Sequence, residues 1–195
     1  TFCATAQGQW KNRYPKIQGI SHHVYLEGYE LPTLTNGPID PAASPEGQKL
    51  AFSSRGWIWI LDLSSGVATR LTRGAELDSR PQWSNNGAQL AFVRDDSRDT
   101  WIVVHDLESG DEQKINTPTI DLDPVFSNSD QFLYYASARD GTLDIWRRDL
   151  SLGADSLIVG ARGTQLRPQT VSGNSHVLFL SKAGRNEIVL HDLNS

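Results

Sequence analysis

A repeat of about 43 residues is the feature that most limits what this chain can fold into. Each unit opens with a charged residue followed by proline, and the four pairs are Asp40-Pro41, Arg80-Pro81, Asp123-Pro124 and Arg167-Pro168. Each unit closes on an Asp-Leu pair: Asp62-Leu63, Asp106-Leu107, Asp149-Leu150 and Asp192-Leu193. The prolines lie 40, 43 and 44 residues apart, and the closing aspartates 44, 43 and 43. Markers that keep one period indicate a protein built from repeated units.

Between these markers, each unit carries runs that are typical of β-strands. An apolar and aromatic run begins about nine residues after the proline: Leu50-Ala51-Phe52, Leu90-Ala91-Phe92, Leu133-Tyr134-Tyr135 and Leu178-Phe179-Leu180. A second run of aromatic and β-branched residues follows, as in Trp101-Ile102-Val103-Val104. Turn residues such as Asn85-Asn86-Gly87 separate the runs. Four short strands per unit predict an all-β propeller of four-stranded antiparallel blades, and no segment has a sustained helical period.

The turn between the first two strands carries a motif that resembles a known family. Residues 41–52 read P-A-A-S-P-E-G-Q-K-L-A-F, and residues 81–92 read P-Q-W-S-N-N-G-A-Q-L-A-F. This pattern resembles the TolB-like propeller family, the WD-like repeats of periplasmic and peptidase-associated proteins. The third repeat has Asp130 in place of the turn glycine, and the fourth departs most, at residues 171–175. The resemblance covers residues 38–195 and implies the propeller fold, whereas the many tasks of such propellers leave the activity open.

A narrower resemblance covers residues 14–36, which include Tyr14-Pro15-Lys16-Ile17 and the adjacent pair His22-His23. This segment is similar to the lead-in of exported proteins that join such a propeller to a C-terminal amidohydrolase domain. The metal ligands of that domain would lie beyond this chain, which lacks the His-x-His motif that opens such a site. The resemblance therefore assigns no catalytic residue, no metal ligand and no cofactor here.

The repeats divide the chain into predicted segments. A flexible N-terminus covers residues 1–13, a lead-in strand segment covers 14–37, and blades are predicted at 38–78, 79–121, 122–165 and 166–195, the last without its outer strand. Relatives usually have six or more blades, so we expect these four to belong to a larger ring or to one completed by a second copy. An open arc would leave two apolar faces in water. Such an arc has three possible outcomes: two copies pair, the four blades close tightly, or the arc is poorly soluble. We favour the first, a homodimer. Residues 24–34 are a candidate for the missing outer strand.

Composition excludes several classes of partner. The 195 residues include 18 Lys and Arg against 23 Asp and Glu, and they contain no basic run of the kind that a nucleic acid requires. No stretch approaches the ~20 apolar residues of a membrane span. The single Cys3 excludes an intrachain disulfide framework and a Cys-rich zinc site. Ala4-Thr5-Ala6 fits the pattern read by signal peptidases, which together with the resemblance predicts a periplasmic or otherwise exported protein; the alternative is an ordinary chain end.

Charged loops that enter the first strand of each unit are the best candidate for a binding site. In a propeller these loops converge around the central channel on one face. A polar funnel that binds a peptide end, a cation or a partner loop is therefore predicted from Asp40, Asp78, Arg80, Asp121, Asp123 and Arg167. The alternative is that the carboxylates cap turns and pair with the arginines, which would hold blade to blade. No nucleophile elbow and no phosphate-binding loop occurs in the sequence.

Three functions fit these observations. The first, which we favour, is a non-catalytic scaffold in an exported protein that binds a protein partner or a small ligand. The second is the N-terminal propeller of a hydrolase of the amidohydrolase or peptidase type, whose catalytic domain lies beyond residue 195 and serves as the partner of the propeller. The third is a Tol-type protein of the cell envelope that binds another envelope protein.

Overall fold

The computed structural model describes residues 37–115, 117, 119–160, 162–171 and 175–194. The predicted N-terminal segment 1–13, the lead-in apart from residue 37, and the candidate strand at 24–34 lie outside the described residues. In the part that is described, fifteen β-strands and no helix are found. The described residues therefore include no helix that is long and apolar enough to cross a membrane.

The strands form four antiparallel sheets, each from consecutive strands, which we call blades 1 to 4. Blade 1 contains β1 (Ile39–Ala43), β2 (Lys49–Ser54), β3 (Trp57–Asp62) and β4 (Val67–Arg70). Blade 2 contains β5 (Leu77–Trp83), β6 (Gln89–Asp95), β7 (Thr100–Asp106) and β8 (Glu112–Ile115). Blade 3 contains β9 (Asp121–Phe126), β10 (Phe132–Ser137), β11 (Asp144–Asp149) and β12 (Asp155–Val159). Blade 4 has three strands among the described residues, β13 (Thr164–Thr170), β14 (His176–Lys182) and β15 (Asn186–Asp192).

This arrangement confirms the predicted all-β propeller fold. Neighbouring blades pack face to face in chain order, and the apolar core lies between them. Ala51 and Ile58 of blade 1 pack against Phe92 of blade 2, for example, and all are shielded from water by the contact. The first strands of blades 2, 3 and 4 begin at Leu77, Asp121 and Thr164, one or two residues before the predicted blade boundaries.

The Asp-Leu pair that closes each repeat has a structural role in every blade. In blade 2, Asp106 Oδ1 accepts hydrogen bonds from the N–H groups of Ser109 (2.9 Å) and Glu108 (3.1 Å), which together lower the pKa of Asp106. The N–H of Leu107 donates to the carbonyl of Ala88 (3.0 Å) in the turn before β6. The equivalent leucine bonds are made by Leu63, Leu150 and Leu193. The pair therefore fixes the turn after the third strand and ties it to the turn after the first strand.

Blade 4 corrects one part of the sequence alignment. The predicted apolar run Leu178-Phe179-Leu180 is displaced by one residue, because Val177 pairs with Thr170 as Leu133 pairs with Phe126 in blade 3. The equivalent run is consequently Val177-Leu178-Phe179. Val177 and Phe179 are buried against blade 3, whereas Leu178 lies on the opposite face of the sheet.

A turn in blade 3 explains why Asp130 replaces a glycine of the repeat. Asp130 has φ 58°, close to the φ 72° of Gly87 at the same position in blade 2. Its Oδ1 accepts a hydrogen bond from the N–H of Asn85 and its Oδ2 one from the N–H of Asn86, at 2.8 and 2.9 Å. The strained backbone of Asp130 thus places a carboxylate that joins the turns of two neighbouring blades.

Candidate functional site

The first strands of all four blades meet at one cavity. Each of these strands has a register shift at its X-Pro pair, where the proline cannot donate a ladder hydrogen bond. The residue before each proline adopts a positive φ: Asp40 (52°), Arg80 (55°), Asp123 (53°) and Arg167 (49°). A bulge of this kind changes the direction of the side chain relative to a regular strand. The repeat therefore presents one charged side chain per blade at the same level.

The cavity has a volume of about 230 Å³ and is lined almost entirely by these pairs. The lining residues are Asp40, Pro41, Arg80, Pro81, Gln82, Asp123, Pro124, Arg167, Pro168 and Gln169. Four of the six predicted site residues are thus brought together, one from each blade. The glutamines were not predicted, although their position directly after the proline in blades 2 and 4 was available from the repeat.

Hydrogen bonds between blades connect the four charged residues in series. Asp40 Oδ2 accepts the N–H of Arg80 (3.2 Å), and Asp123 Oδ2 accepts the N–H of Arg167 (3.1 Å). The guanidinium of Arg80 forms an ion pair with Asp123, and both side chains are mostly buried. Each contact joins one blade to the next, as the structural alternative for these residues predicts.

The two ends of this series differ from its middle. Asp40 and Arg167 are exposed, whereas Arg80 and Asp123 neutralise each other. Among the residues that the structure describes, the guanidinium of Arg167 has no hydrogen-bond or ion-pair partner. The cavity wall therefore offers a solvent-accessible carboxylate at one end and a solvent-accessible guanidinium at the other.

Asp78 lies two residues before Arg80 and is placed inside blade 2, away from the cavity lining. Its carboxylate accepts a hydrogen bond from Arg94 Nε (2.7 Å), and Arg94 Nη1 also donates to Glu112 (2.7 Å). Burial raises the pKa of Asp78, against the opposing effect of the Arg94 hydrogen bonds and charge. The Asp78 side chain thus contributes to an ion-pair network across blade 2, which is buried at Asp78 and reaches the surface at Glu112.

Asp121 has the same position in blade 3 and is also absent from the cavity lining. Its carboxylate accepts hydrogen bonds from the N–H of Thr117 (3.1 Å) and from the Thr117 hydroxyl (2.8 Å). Complete burial raises the pKa of Asp121 to about 6, although hydrogen bonds from Ser137 and Thr117 favour the ionised form. A ligand-binding role for Asp78 and Asp121 stays a prediction. The contacts described here give both side chains a structural role as well.

Metal-binding chemistry has little support in the described ranges. They contain no group of three or more His, Cys, Asp or Glu side chains arranged to hold a metal ion. The donors in the cavity are two carboxylates, two guanidinium groups and two amides, and the guanidinium groups would repel a cation. The arrangement is instead suited to a ligand with hydrogen-bonding groups and charges of both signs.

Four antiparallel sheets in chain order, with one cavity to which each contributes its first strand, define this chain as a β-propeller. Residues 35–195 match the family model of the TolB beta propeller domain. The chain therefore belongs to the TolB β-propeller family.

Several solved structures share the fold at low sequence identity. TolB from Acinetobacter baumannii matches with a TM-score of 0.74 and 19% identity, over 82% of this chain and 42% of that one. Hydrazine synthase from Kuenenia stuttgartiensis matches with a TM-score of 0.65 and 16% identity, over 87% and 50%. A puromycin hydrolase matches with a TM-score of 0.62 and 15% identity, over 78% and 26%. This chain spans half or less of these proteins, whose differing activities show that the likeness concerns the fold alone.

Proposed function

We propose that this chain is a non-catalytic propeller module of an exported protein and that it binds an extended segment of a protein partner at the X-Pro cavity. The observation that carries the proposal is the cavity itself, which is built from the same position of all four blades. A site to which every repeat contributes is well placed to receive a ligand on the channel axis.

The lining chemistry favours a peptide over other ligands. Four proline rings supply rigid apolar surface, while Gln82 and Gln169 supply amide groups that both donate and accept hydrogen bonds. Peptide backbone offers the complementary donors and acceptors. Asp40 and Arg167 add one charge of each sign, which suits a segment that carries both a basic and an acidic group.

Export is part of the same proposal. It is supported by membership of the TolB propeller family. A Tol-type envelope partner would be one protein that supplies the bound segment. The propeller of a larger hydrolase is the second candidate, favoured by the match to the puromycin hydrolase over 78% of this chain but only 26% of that enzyme.

A peptide-display experiment tests the binding site. A library of random twelve-residue peptides is selected on the purified chain, and the recovered peptides are synthesised and measured by calorimetry. Replacing both Gln82 and Gln169 by Leu removes two amide groups at about 1 kcal/mol each, so affinity should fall roughly 30-fold. Gln131→Leu, on an exposed turn outside the cavity, is the matched control and should bind like the wild type.

Two results would contradict the proposal. One is a selection that yields no peptide with measurable affinity. The other is a set of peptides that binds the double glutamine variant and the wild type equally well, since the site would then lie elsewhere on the molecule.

A further inference from the structure

The fourth strands of blades 1 to 3 form the outer edge of the propeller, on the opposite side of each sheet from the strand that lines the cavity. One position in these strands, eight residues after the closing aspartate, differs between the blades. It is Arg70 in β4, Lys114 in β8 and Leu157 in β12. The first two side chains are basic, whereas Leu157 is apolar and 46% exposed. Blade 3 therefore departs from the repeat at a surface position.

In blades 1 and 2, the basic residue covers a tryptophan of the neighbouring strand. The Arg70 guanidinium lies 4.8 Å from the centre of the Trp57 ring, and the Lys114 ammonium lies 3.7 Å from that of Trp101. A charged side chain on an edge strand also opposes the addition of a further strand, because the charge would then have to leave water. The outer edges of these two blades are thus protected against pairing with another chain.

The outer strand of blade 3 lacks this protection. β12 has five residues, whereas β4 and β8 have four each. Residues 156–160 read S-L-I-V-G and carry no charge, while β8 contains both Glu112 and Lys114. An uncharged edge strand with an exposed leucine is a favourable template for pairing with another extended segment.

The main chain of β12 has hydrogen-bonding groups that are directed away from the sheet. The N–H of Asp149 donates to the carbonyl of Ala154 (2.9 Å), and this bond sets the alternation along the strand. By that alternation, Ser156 also faces β11. The N–H and C=O groups of Asp155 and Leu157 are instead directed outward, and no hydrogen bond to them is found among the described residues. An extended peptide backbone supplies donors and acceptors at the spacing of these groups.

We propose that the outer edge of β12 binds an extended segment of a partner protein, which adds to the four strands of blade 3 as one further strand. The main-chain groups of Asp155 and Leu157 provide the hydrogen bonds to this segment. The side chain of the segment that lies beside Leu157 is apolar, because the contact removes the exposed part of Leu157 from water. The X-Pro cavity is lined by the first strands, so this site does not depend on the function proposed for the cavity.

A peptide selection with a gatekeeper variant tests this edge. Random twelve-residue peptides are selected on the chain with both Gln82→Leu and Gln169→Leu, so that peptides specific for the cavity are disfavoured. The recovered peptides should bind Leu157→Lys roughly tenfold more weakly than the wild type in calorimetry, because the apolar contact is lost. Leu152→Lys, at a turn position of the same blade that is 79% exposed, is the matched control and should bind like the wild type. Lysine fits position 157, since Lys114 occupies the equivalent position in blade 2.

Amide hydrogen exchange locates the bound strand on the wild-type chain. A bound peptide should slow exchange at Asp155 and Leu157 and leave Ser156 unchanged, since the N–H of Ser156 already faces β11. Circular dichroism melts verify that the compared variants are folded.

Four results would overturn the proposal. A selection could yield no peptide, or only peptides that bind Leu157→Lys and the wild type equally well. Slow exchange at Asp155 and Leu157 in the free monomer would assign the edge to another segment of the same chain. A mass of twice 21.6 kDa in light scattering that is lost in Leu157→Lys would assign it to a second copy.

Discussion

The contact between blades 2 and 3 can be tested by truncating Ile102 to Ala. Ile102 is 0% exposed and belongs to a cluster that joins Ala91 and Ile115 of blade 2 to Phe126 and Leu133 of blade 3. The substitution removes three buried carbons, which at about 0.8 kcal/mol each accounts for roughly 2.4 kcal/mol of transfer free energy. The rigid sheets on both sides limit collapse into the cavity, so a total loss of about 3–4 kcal/mol is expected.

Urea unfolding followed by tryptophan fluorescence measures this loss of stability. The midpoint should fall while the slope with urea stays unchanged, since the surface exposed on unfolding is almost the same. The melting temperature should drop by about 6–16 °C for a chain of this size. Leu152→Ala, at a position that is 79% exposed, is the control and should stay within about 0.5 kcal/mol of the wild type. If Ile102→Ala were as mild as this control, the blades would not share the packed interface described here.

Three other substitutions test features that the repeat alone does not reveal. The pKa of Asp121 is raised from 3.8 to about 6, so the folded state binds more protons between these values and the free energy of unfolding should rise by about 2 kcal/mol as the pH falls from 6 to 4. Asp121→Asn should remove that rise when the free energy of unfolding is measured by urea titration at each pH. A variant whose stability depends on pH as steeply as that of the wild type would refute a buried titrating carboxyl. Asp130→Ala should cost about 1–3 kcal/mol in thermal unfolding through its bonds to Asn85 and Asn86, with Asp130→Gly separating that loss from backbone strain. Gly163→Ala should cost at least about 1 kcal/mol, because its φ is 96° and a Cβ would lie 2.5 Å from a backbone carbonyl; normal stability would contradict this backbone geometry.

The fold was predictable because the residues that define each blade recur at a nearly constant spacing in the sequence. Proline and the Asp-Leu pair recur with one period, and each acts locally, proline by shifting the strand register and aspartate by accepting turn N–H groups. Local rules of this kind can be recognised without knowing the tertiary contacts. The error at Leu178 arose where the fourth repeat departs from the motif, although Val177 keeps the spacing of nine residues from Pro168.

The candidate site was less predictable because a bulge interrupts strand alternation. Asp78 and Arg80 were both expected at the channel because they belong to one charged loop that enters the first strand of blade 2. The register shift between Ser79 and Gln82 instead directs Arg80 to the cavity and leaves Asp78 in contact with Arg94. The sequence indicates that a proline disturbs this strand, but it does not specify which of its neighbours changes direction.

The alternation of charge around the channel constrains how these blades can close. A carboxylate accepts the N–H of the next blade, and an arginine side chain pairs with the carboxylate of the blade after it. A closed ring keeps this alternation only if the number of blades is even, because an odd number brings two like charges together at one contact. A blade that packed against blade 4 would have to carry an acidic residue before its proline to continue this alternation at Arg167.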